Sequence, residues 1–389
     1  MLVTADALAE TALTGAPAAV SPPGPTPCLV MDLAVVRARY AELRAALPGA
    51  RVYYAVKANP RAEVLGALAD AGCGFDVASP GEIEGALAAG GRAERLCYAN
   101  PVRTPADVAA AAGHGVSLFV TDSGEDLEVL ADGAPGASVL VRLAVDDTGS
   151  ATPFGGKFGC SPARAVSLLL QAASSGLDPA GLSFHVGSQQ SRPAAWADAI
   201  AVAASVAADA GLAVRILDVG GGFPVPYRTP VPPVAEFGAA IEAAVRRHFP
   251  GRRAPELAVE PGRLLVAEAG VLHASAVRVS VRDDGRRWVY LDVGRYGGLA
   301  ETEGEAIGYR LATDHDGPGV ELAPAVLAGP TCDGDDVLYR EVALPAALRS
   351  GDAVRLLAAG AYTASYASVG FNGLPPLAVR CVDSVGPGS

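Results

Sequence analysis

The chain contains 389 residues, of which 50% are hydrophobic and 19% are charged, and its formal net charge is −12. This length exceeds one ordinary domain, so we expect two domains or one large barrel with an appendage. The negative charge argues against nucleic acid or an anionic membrane as a partner. The start of the chain lacks the pattern of a secretory signal, and no apolar run is long enough to span a bilayer. We therefore predict a cytoplasmic protein.

The six cysteines are scattered along the chain without the paired spacing of a metal site. In a chain of this size such cysteines are most often small buried side chains, so we predict no metal. Only Cys332 lies in a sequence context that suggests chemistry.

The N-terminal segment is rich in alanine and proline, and residues 21–27 read SPPGPTP. Such a sequence favours a rigid, extended approach to the first strand, near Cys28–Met31. We expect residues 1–31 to join a β domain that lies at the other end of the chain.

From residue 52 onward, short apolar runs alternate with alanine- and leucine-rich segments of helical period. This alternation indicates a parallel sheet, and eight such units in about two hundred residues fit a (β/α)8 barrel. We place the barrel at residues 32–268. The eight runs are 52–56, 75–77, 96–99, 118–120, 139–144, 182–186, 215–219 and 257–260.

After residue 268 the pattern changes to β-rich segments separated by glycine, proline and aspartate, without a long helical repeat. We therefore predict a second, mostly-β domain over residues 269–389.

Polar residues and glycines stand at the ends of several predicted barrel strands. The catalytic groups of such barrels lie at the carboxyl ends of the strands, where a purely structural core would place valine or alanine. The residues at these ends are Lys57, Asp76, Arg142, His185, Gly220, Gly221, Gly222 and Glu260.

Lys57 follows the apolar run VYYAV (52–56) and precedes an Asn-Pro turn. Burial at this place would lower the pKa of the amine, which makes it a nucleophile able to form a Schiff base with an aldehyde. For a lone lysine, the alternative is a side chain that reaches solvent from a strand end.

The segment DVGGGFP (218–224) leaves backbone N–H groups bare, and EPGR (260–263) offers Arg263 as a second ligand for an anion. Together they predict a phosphate site, to which Ser188 can add a hydroxyl. His185 offers a flat side chain for a planar cofactor. Glu260 is either an acid beside a cationic ring or the ion-pair partner of Arg263.

An ordered set of seven motifs resembles the fold-type III pyridoxal-phosphate decarboxylases, and the ornithine/lysine decarboxylase branch in particular. The resemblance covers about residues 27 to 380. The motifs are VYYAVKANP, FDVAS, FHVGSQ, DVGGGFP, EPGR, GPTCDGDD and GAYTASYASVGFNG.

This resemblance implies that pyridoxal phosphate (PLP) is the cofactor and that Lys57 holds it. Glu260 would bind the pyridine nitrogen, His185 would stack on the ring, and Asp76 and Arg142 would lie beside the ring and Lys57. The phosphate would be held by Gly220, Gly221, Gly222, Gly262, Arg263, Ser188 and Tyr362.

The same resemblance implies a homodimer with shared active sites. Cys332 would arrive from the partner subunit as the acid that returns a proton to the substrate, and Asp333 would meet the substrate side chain. Lys157 would pair with Asp336 across the interface.

One segment departs from the bacterial ornithine/lysine pattern, which resembles GLxETxDEAI. The chain has Gly304 where that pattern has an aspartate for the distal ammonium of ornithine, with acids nearby at Glu301, Glu303 and Glu305. Either one of these glutamates receives the ammonium, or the substrate has no distal ammonium. The lost contact would be worth roughly 1.5–3 kcal/mol.

The leading hypothesis is therefore α-decarboxylation of an L-amino acid, with ornithine or lysine as the default and a link to polyamine synthesis. The alternative is a modified amino acid, such as an acidic one tethered to a carrier protein. A diaminopimelate decarboxylase is disfavoured because aspartate, not glutamate, follows the motif cysteine. A non-catalytic regulatory homologue is the remotest reading, since Lys57, Glu260 and Cys332 are all present.

Overall fold

The computed structural model describes residues 24–154, 156–251 and 254–384. Eight parallel strands close into a barrel in chain order, because the first of them also pairs with the last. The predicted (β/α)8 barrel is therefore confirmed, and each of the eight apolar runs overlaps one of its strands. The strands are β2 (Arg51–Ala55), β3 (Gly74–Val77), β4 (Leu96–Tyr98), β5 (Leu118–Thr121), β6 (Ser138–Leu143), β7 (Asp178–Phe184), β8 (Ile216–Asp218) and β9 (Glu256–Val259).

Helices surround the barrel, and several begin at a serine or threonine whose hydroxyl accepts a backbone N–H of the first turn. Ser79, Thr104, Ser123 and Ser161 cap in this way the helices that begin at Pro80, Pro105, Gly124 and Pro162. The helices are α1 (Leu33–Ala46), α2 (Ala62–Asp70), α3 (Pro80–Ala88), α4 (Pro105–Gly113), α5 (Gly124–Gly133), α6 (Pro162–Ser174), α7 (Ala194–Ala210), α8 (Val234–His248) and the single turn α9 (Arg263–Val266).

Alternation along each strand sorts the side chains between two cores. In β2, Val52 and Tyr54 face the helices, whereas Tyr53 belongs to a small cluster inside the barrel. The other members of the inner cluster are Cys97, Ala99, Leu118, Val120, Leu140, Ala180, Ile216 and Ala258. The inward positions therefore continue, two residues at a time, toward the carboxyl ends of the strands.

The second domain is an eight-stranded sheet, which confirms the predicted mostly-β domain. The first strand of the chain, β1 (Cys28–Asp32), belongs to this sheet, because it pairs with β10 and β16. The remaining strands are β10 (Gly270–Val281), β11 (Arg287–Leu291), β12 (Arg310–Thr313), β13 (Leu322–Ala328), β14 (Val337–Pro345), β15 (Ala353–Leu357) and β16 (Ala378–Val382).

The helices of the described ranges include none with the length and apolarity needed to cross a membrane. The part of the predicted extended approach that precedes residue 24 lies outside the described residues.

A buried ion pair fixes the loop that follows β4. Nε of Arg103 donates to Asp126 at 2.9 Å, Nη2 donates to the same carboxylate at 2.6 Å, and Nη1 donates to the carbonyl of Tyr98 at 3.1 Å. The side chain of Arg103 is 0% exposed and that of Asp126 is 7% exposed. Removal of one partner would leave the other charge buried without compensation.

We therefore expect Asp126→Ala to lower the free energy of unfolding by about 3–5 kcal/mol. The control is Asp178→Ala, which breaks a solvent-exposed ion pair with Arg215 and should cost at most about 1 kcal/mol. Thermal unfolding of both variants checks the difference. Equal losses of thermal stability would show that burial does not set the strength of the Arg103–Asp126 pair.

Candidate active site

The carboxyl ends of the barrel strands open into one cavity of about 310 Å³. The inward positions of the strands explain which side chains reach it: Lys57 continues Tyr53 and Ala55, Arg142 continues Leu140, and Glu260 continues Ala258. The polar side chains that line the cavity are Lys57, Asn100, Arg142, His185, Ser188, Glu260, Arg263 and Tyr362.

Lys57 lies in a short 3-10 turn directly after β2 and forms an ion pair with Asp76 of β3. Its Nζ donates to Oδ2 of Asp76 at 2.9 Å, and Asp76 is 2% exposed. Burial alone would lower the pKa of Lys57, but the negative charge of Asp76, with further contributions from Tyr362 and Glu260, raises it overall. The expected lowering of the lysine pKa is therefore wrong for the chain without cofactor, because that expectation considered burial alone, and Asp76, which the family resemblance places beside Lys57, reverses the direction.

His185 follows β7 and is held as a neutral imidazole. Burial lowers its pKa well below the usual range, and the positive charges of Arg142 and Lys57 lower it further. The backbone N–H of Gly187 donates to Nδ1 at 3.0 Å, which leaves the hydrogen on Nε2. The ring of Phe154 meets the imidazole edge-on with ring centroids 4.7 Å apart. The cavity therefore contains a flat, uncharged ring at this wall.

The three glycines after β8 form a tight cradle. Gly220 and Gly222 have φ of +70° and +91°, which disfavours other residues. A Cβ at Gly221 would lie 2.4 Å from the carbonyl oxygen of Glu260, and one at Gly222 would lie 2.2 Å from that of Gly187. The glycine loop can therefore pack this closely against the backbone of Glu260 and Gly187 only because no side chain is present.

Arg263 begins α9 and is 5% exposed. Its Nη1 and Nη2 donate to Glu301 of the second domain at 2.8 and 2.6 Å, and Nη1 also donates to the hydroxyl of Tyr227 at 3.0 Å. The Nε atom is buried and has no hydrogen-bond partner among the described residues. The Arg263 guanidinium is thus fixed at one end and has a free donor at the other.

Tyr362 of the second domain lies against Arg263 and the turn that carries Lys57. Its φ is +55°, and its N–H donates to the carbonyl of Ala58, next to Lys57, at 2.8 Å. The guanidinium carbon of Arg263 lies 4.9 Å from the centre of its ring. The hydrogen bond from Tyr362 to Ala58 therefore joins the second domain to the turn that carries Lys57.

Glu260 directly follows β9, and its Oε1 atom is buried without a partner in the described part of the chain. Burial raises its pKa well above the usual range, and the negative charges of Asp218 and Asp76 raise it further. The alternative reading, an ion pair between Glu260 and Arg263, is wrong in this structure because the carboxylate that pairs with Arg263 is Glu301.

Two predicted site residues lie outside the cavity of their own chain. Cys332 is exposed, and its thiol donates to Oδ1 of Asn372 at 3.5 Å. Asp333 follows it and lies beside the hydroxyl of Tyr296. Neither residue lines the cavity that contains Lys57.

Each of the three glutamates of the 301–305 segment has a partner within the chain. Glu301 pairs with Arg263, Glu303 lies 3.2 Å from Nη2 of Arg295, and Glu305 accepts the backbone N–H of Arg340 at 2.9 Å. The expected contact of Glu301 with a substrate stays a prediction; in this structure both its oxygens bind Arg263. A Cβ at Gly304 would have no atom within 4 Å.

Asp336 also has partners within its own chain. It is 2% exposed and accepts the N–H of Arg295 at 2.8 Å and the N–H and hydroxyl of Thr331 at 3.1 and 2.7 Å. These bonds shape the turn that carries Cys332. The expected pair with Lys157 across an interface stays a prediction; within its own chain Asp336 is buried and bound by Arg295 and Thr331.

The sequence reasoning overlooked Asp218, the last residue of β8. It is 0% exposed, and its Oδ1 accepts the N–H of Gly220 at 2.8 Å. Its position relative to Ile216 in the inner cluster would have identified it as an inward residue beside the glycine cradle. The aromatic ring of Phe158, 5.0 Å from the guanidinium carbon of Arg142, was also missed.

These residues fit a planar, phosphorylated, heterocyclic aldehyde. The unpartnered Nε of Arg263 and the glycine cradle suit the phosphate, and the unpartnered Oε1 of Glu260 suits a protonated ring nitrogen. Fold and site together fit a barrel enzyme with a cofactor of this kind.

Comparison with known proteins supports the same class of enzyme and cofactor. Residues 33–267 match the family model of the pyridoxal-dependent decarboxylase, pyridoxal binding domain. The chain is 38% identical to the lysine/ornithine decarboxylase of Selenomonas ruminantium (90% of this chain, 88% of the relative) and 37% identical to the diaminopimelate decarboxylase of Actinosynnema pretiosum subsp. auranticum (90% and 83%). The crystal structure of SrLDC in complex with PLP and cadaverine is 37% identical and superposes with a TM-score of 0.82 (93% and 91%).

The chain therefore belongs to the family of pyridoxal-dependent decarboxylases. It is a PLP-dependent amino-acid decarboxylase of the ornithine/lysine type, which confirms the resemblance found in the sequence, the cofactor and the class of enzyme.

The cradle can be tested with a single methyl group. Gly222→Ala should weaken the affinity for PLP at least about tenfold, because the Cβ would require a shift worth more than about 1.4 kcal/mol. The control is Gly176→Ala, which has a similar φ of +78° but no atom within 4 Å of the new methyl group. Titration of both variants with PLP, followed by absorbance, measures the two dissociation constants. Equal affinities would argue against a phosphate site at Gly222.

Proposed function

We propose that the cavity at the carboxyl end of the barrel holds PLP and releases carbon dioxide from the α-carbon of an L-amino acid. Lys57 would bind the cofactor, Asp76 and Arg142 would flank it, and His185 would cover one face of its ring. Gly220 to Gly222, Gly262, Ser188, Arg263 and Tyr362 would hold the phosphate. The observation that carries this proposal is the pair of unpartnered buried atoms, Oε1 of Glu260 and Nε of Arg263, in one cavity with Lys57.

When bound, PLP supplies an aldehyde that condenses with amines and a ring that accepts the electron pair left by carbon dioxide. Glu260, as a carboxylate, favours a protonated ring nitrogen and so strengthens this electron sink. Asp76 holds the amine of Lys57 in place through their ion pair. Its carboxylate can accept a proton that Lys57 releases. Neutral His185 adds no positive charge beside the ring.

We further propose that the functional unit is a homodimer in which Cys332 and Asp333 complete the site of the partner. Cys332 is exposed and does not line its own cavity, so it can act on a substrate only in another copy. An exposed apolar segment lies near it: Tyr366 is 59% exposed and Val369 is 94% exposed, with Phe371 and Leu374 also on the surface. Asn372, the acceptor of the Cys332 thiol, lies in the same segment. The cytoplasmic location stays a prediction.

The shared site can be tested by mixing two inactive variants. Lys57→Ala should lose the absorbance of bound cofactor and its activity, whereas Cys332→Ala should keep the absorbance and lose turnover or form side products. If sites are shared, an equal mixture regains up to about one quarter of the wild-type activity, since half of the dimers are mixed and each has one intact site.

The matched control is a mixture of Lys57→Ala with Asp76→Ala, two changes in the same cavity. These variants should not complement each other, because both residues lie in one chain's cavity. Recovery in the control, or none in the test mixture after subunits have exchanged, would contradict a Cys332 that acts across the interface.

Ornithine or lysine is the substrate that we propose first, because a relative named for both activities aligns with 90% of the chain. A second candidate is a modified or carrier-tethered amino acid without a distal ammonium. It is favoured by the 301–305 segment, in which each acid already has a partner and Gly304 has no side chain. Measurement of carbon dioxide release from ornithine, lysine, arginine, diaminopimelate and acidic conjugates separates the two.

Gly304 offers a direct test of these candidates. Its φ of +58° is tolerated by aspartate and asparagine, and a new Cβ meets no atom within 4 Å. If a missing acid limits recognition of a distal ammonium, Gly304→Asp should raise kcat/KM for ornithine and lysine about tenfold, equivalent to about 1.4 kcal/mol. Gly304→Asn is the control, with the same backbone demand but no charge, and should change kcat/KM little.

If wild-type protein already turns over ornithine or lysine efficiently and Gly304→Asp adds nothing, the second candidate is rejected. Poor turnover of both, improved by Gly304→Asp and not by Gly304→Asn, would support a natural substrate without a distal ammonium.

A further inference from the structure

Asp218 is a buried acid for which the proposed chemistry gives no role. It ends β8, is 0% exposed and faces the barrel interior. Its Oδ1 accepts the N–H of Gly220 at 2.8 Å, but Oδ2 is buried without a hydrogen-bond partner in the described ranges. An ionised carboxylate with a bare buried oxygen is costly, so this oxygen needs a proton or a donor.

Glu260 is the neighbour that can share such a proton. Strands β8 and β9 pair with Asp218 opposite Ala258, and the N–H of Glu260 donates to the carbonyl of Gly220 at 2.9 Å. One polar atom from each of Asp218, Glu260 and Cys97 lies within 4.8 Å of the other two. Two buried carboxyl groups at this range repel each other when both are ionised, and one proton between them removes the repulsion.

The charged groups around the pair do not neutralise it. Asp76 of β3 adds a negative charge but is itself paired with Lys57, which follows β2. Arg142 of β6 is the cation that also acts on Asp218. The remaining titratable neighbours are Cys97 of β4, Tyr53 of β2 and His185 after β7, and burial raises the pKa of Cys97 and Tyr53 and lowers that of His185. None of these three carries charge at neutral pH.

We propose that Asp218 and Glu260 share one proton, and that Asp218 thereby acts as a positioning residue that sets the protonation of Glu260 at the cofactor ring. The inference about the ring rests on the cofactor role proposed for Glu260. The shared proton itself is a property of the chain alone, and it gives the bare Oδ2 of Asp218 a partner.

The direction of the pKa shifts agrees with this geometry. Burial raises the pKa of Asp218 to about 6, and burial together with the charge of Asp218 raises the pKa of Glu260. Both pKa values are raised relative to the unfolded chain, in which carboxyl groups titrate near about 4. The stability that the pair contributes is therefore fully present below about pH 4 and is lost as the pH rises through about 6.

The experiment measures the Tm of the full-length protein, prepared without cofactor, from pH 5 to pH 8. Removal of either carboxyl group abolishes the sharing, so Asp218→Asn and Glu260→Gln should each become more stable relative to wild type as the pH rises. A difference of one bound proton changes the folding equilibrium constant up to about tenfold per pH unit. Cys97→Ala is the matched control in the same cluster and should follow the wild-type pH dependence, because both carboxyl groups remain.

A pH dependence of Asp218→Asn that equals that of wild type would overturn the shared proton. If Asp218→Asn does not fold, the same comparison with Glu260→Gln decides the question. A second measurement, the dissociation constant of PLP from pH 5 to pH 8, tests the link to the ring: the wild-type pH dependence should be reduced in Asp218→Asn. If Glu260→Gln alters the pH dependence of the Tm as expected but binds PLP with the wild-type affinity, the shared proton is supported and Glu260 is rejected as the ring ligand.

Discussion

The closure of the barrel is the constraint on which the active site depends. Lys57 and Glu260 are far apart in the chain, yet they follow the first and last barrel strands, and these strands pair directly. Beyond the ladder, the N–H of Ala55 donates to the carbonyl of Pro261 at 3.0 Å, so the lysine turn and the Glu260 loop are joined by backbone. Backbone hydrogen bonds, and not only side-chain contacts, therefore fix the relative positions of Lys57 and Glu260.

Within this frame, charged groups cluster at the carboxyl end of the barrel; Asp76 and Asp218 are buried, whereas the side chain of Lys57 is 54% exposed. Asp76, Asp218 and Glu260 bring three carboxyl groups into one end of a barrel, and Lys57 and Arg142 oppose them. Such fixed charges stabilise developing charge better than water does, because they need no reorganisation during the reaction. Their cost is mutual repulsion among the acids, which explains why protonation and ion pairing in this cluster are tied together. Arg263 lies apart from it, held by Glu301 of the second domain.

The sequence was informative wherever local pattern and topology decide the outcome. The eight strands, the mostly-β domain and the set of residues at the strand ends follow from hydrophobic runs and from the rule that parallel strands end at one edge. Pairings between distant segments could not be predicted in this way: Arg263 was expected to meet Glu260 or phosphate, and it also meets Glu301 from another domain. Asp336 was assigned by its place in a motif, but it is buried in its own chain, where it accepts two hydrogen bonds from Thr331 and one from the distant Arg295. The position of Asp218 could have been predicted from the sequence, since alternate residues of a strand face the same side and Ile216 faces the barrel interior.

The residues proposed to hold the cofactor come from both domains, because most follow barrel strands whereas Tyr362 belongs to the second domain. The acids predicted to meet a substrate side chain include those of the 301–305 segment, also in the second domain. That segment has irregular backbone around Gly304, and its glutamates are engaged by Arg263, Arg295 and the backbone of Arg340. Glu301 joins this segment to the barrel, because both its oxygens accept hydrogen bonds from Arg263, so a change at Glu301 also releases that guanidinium.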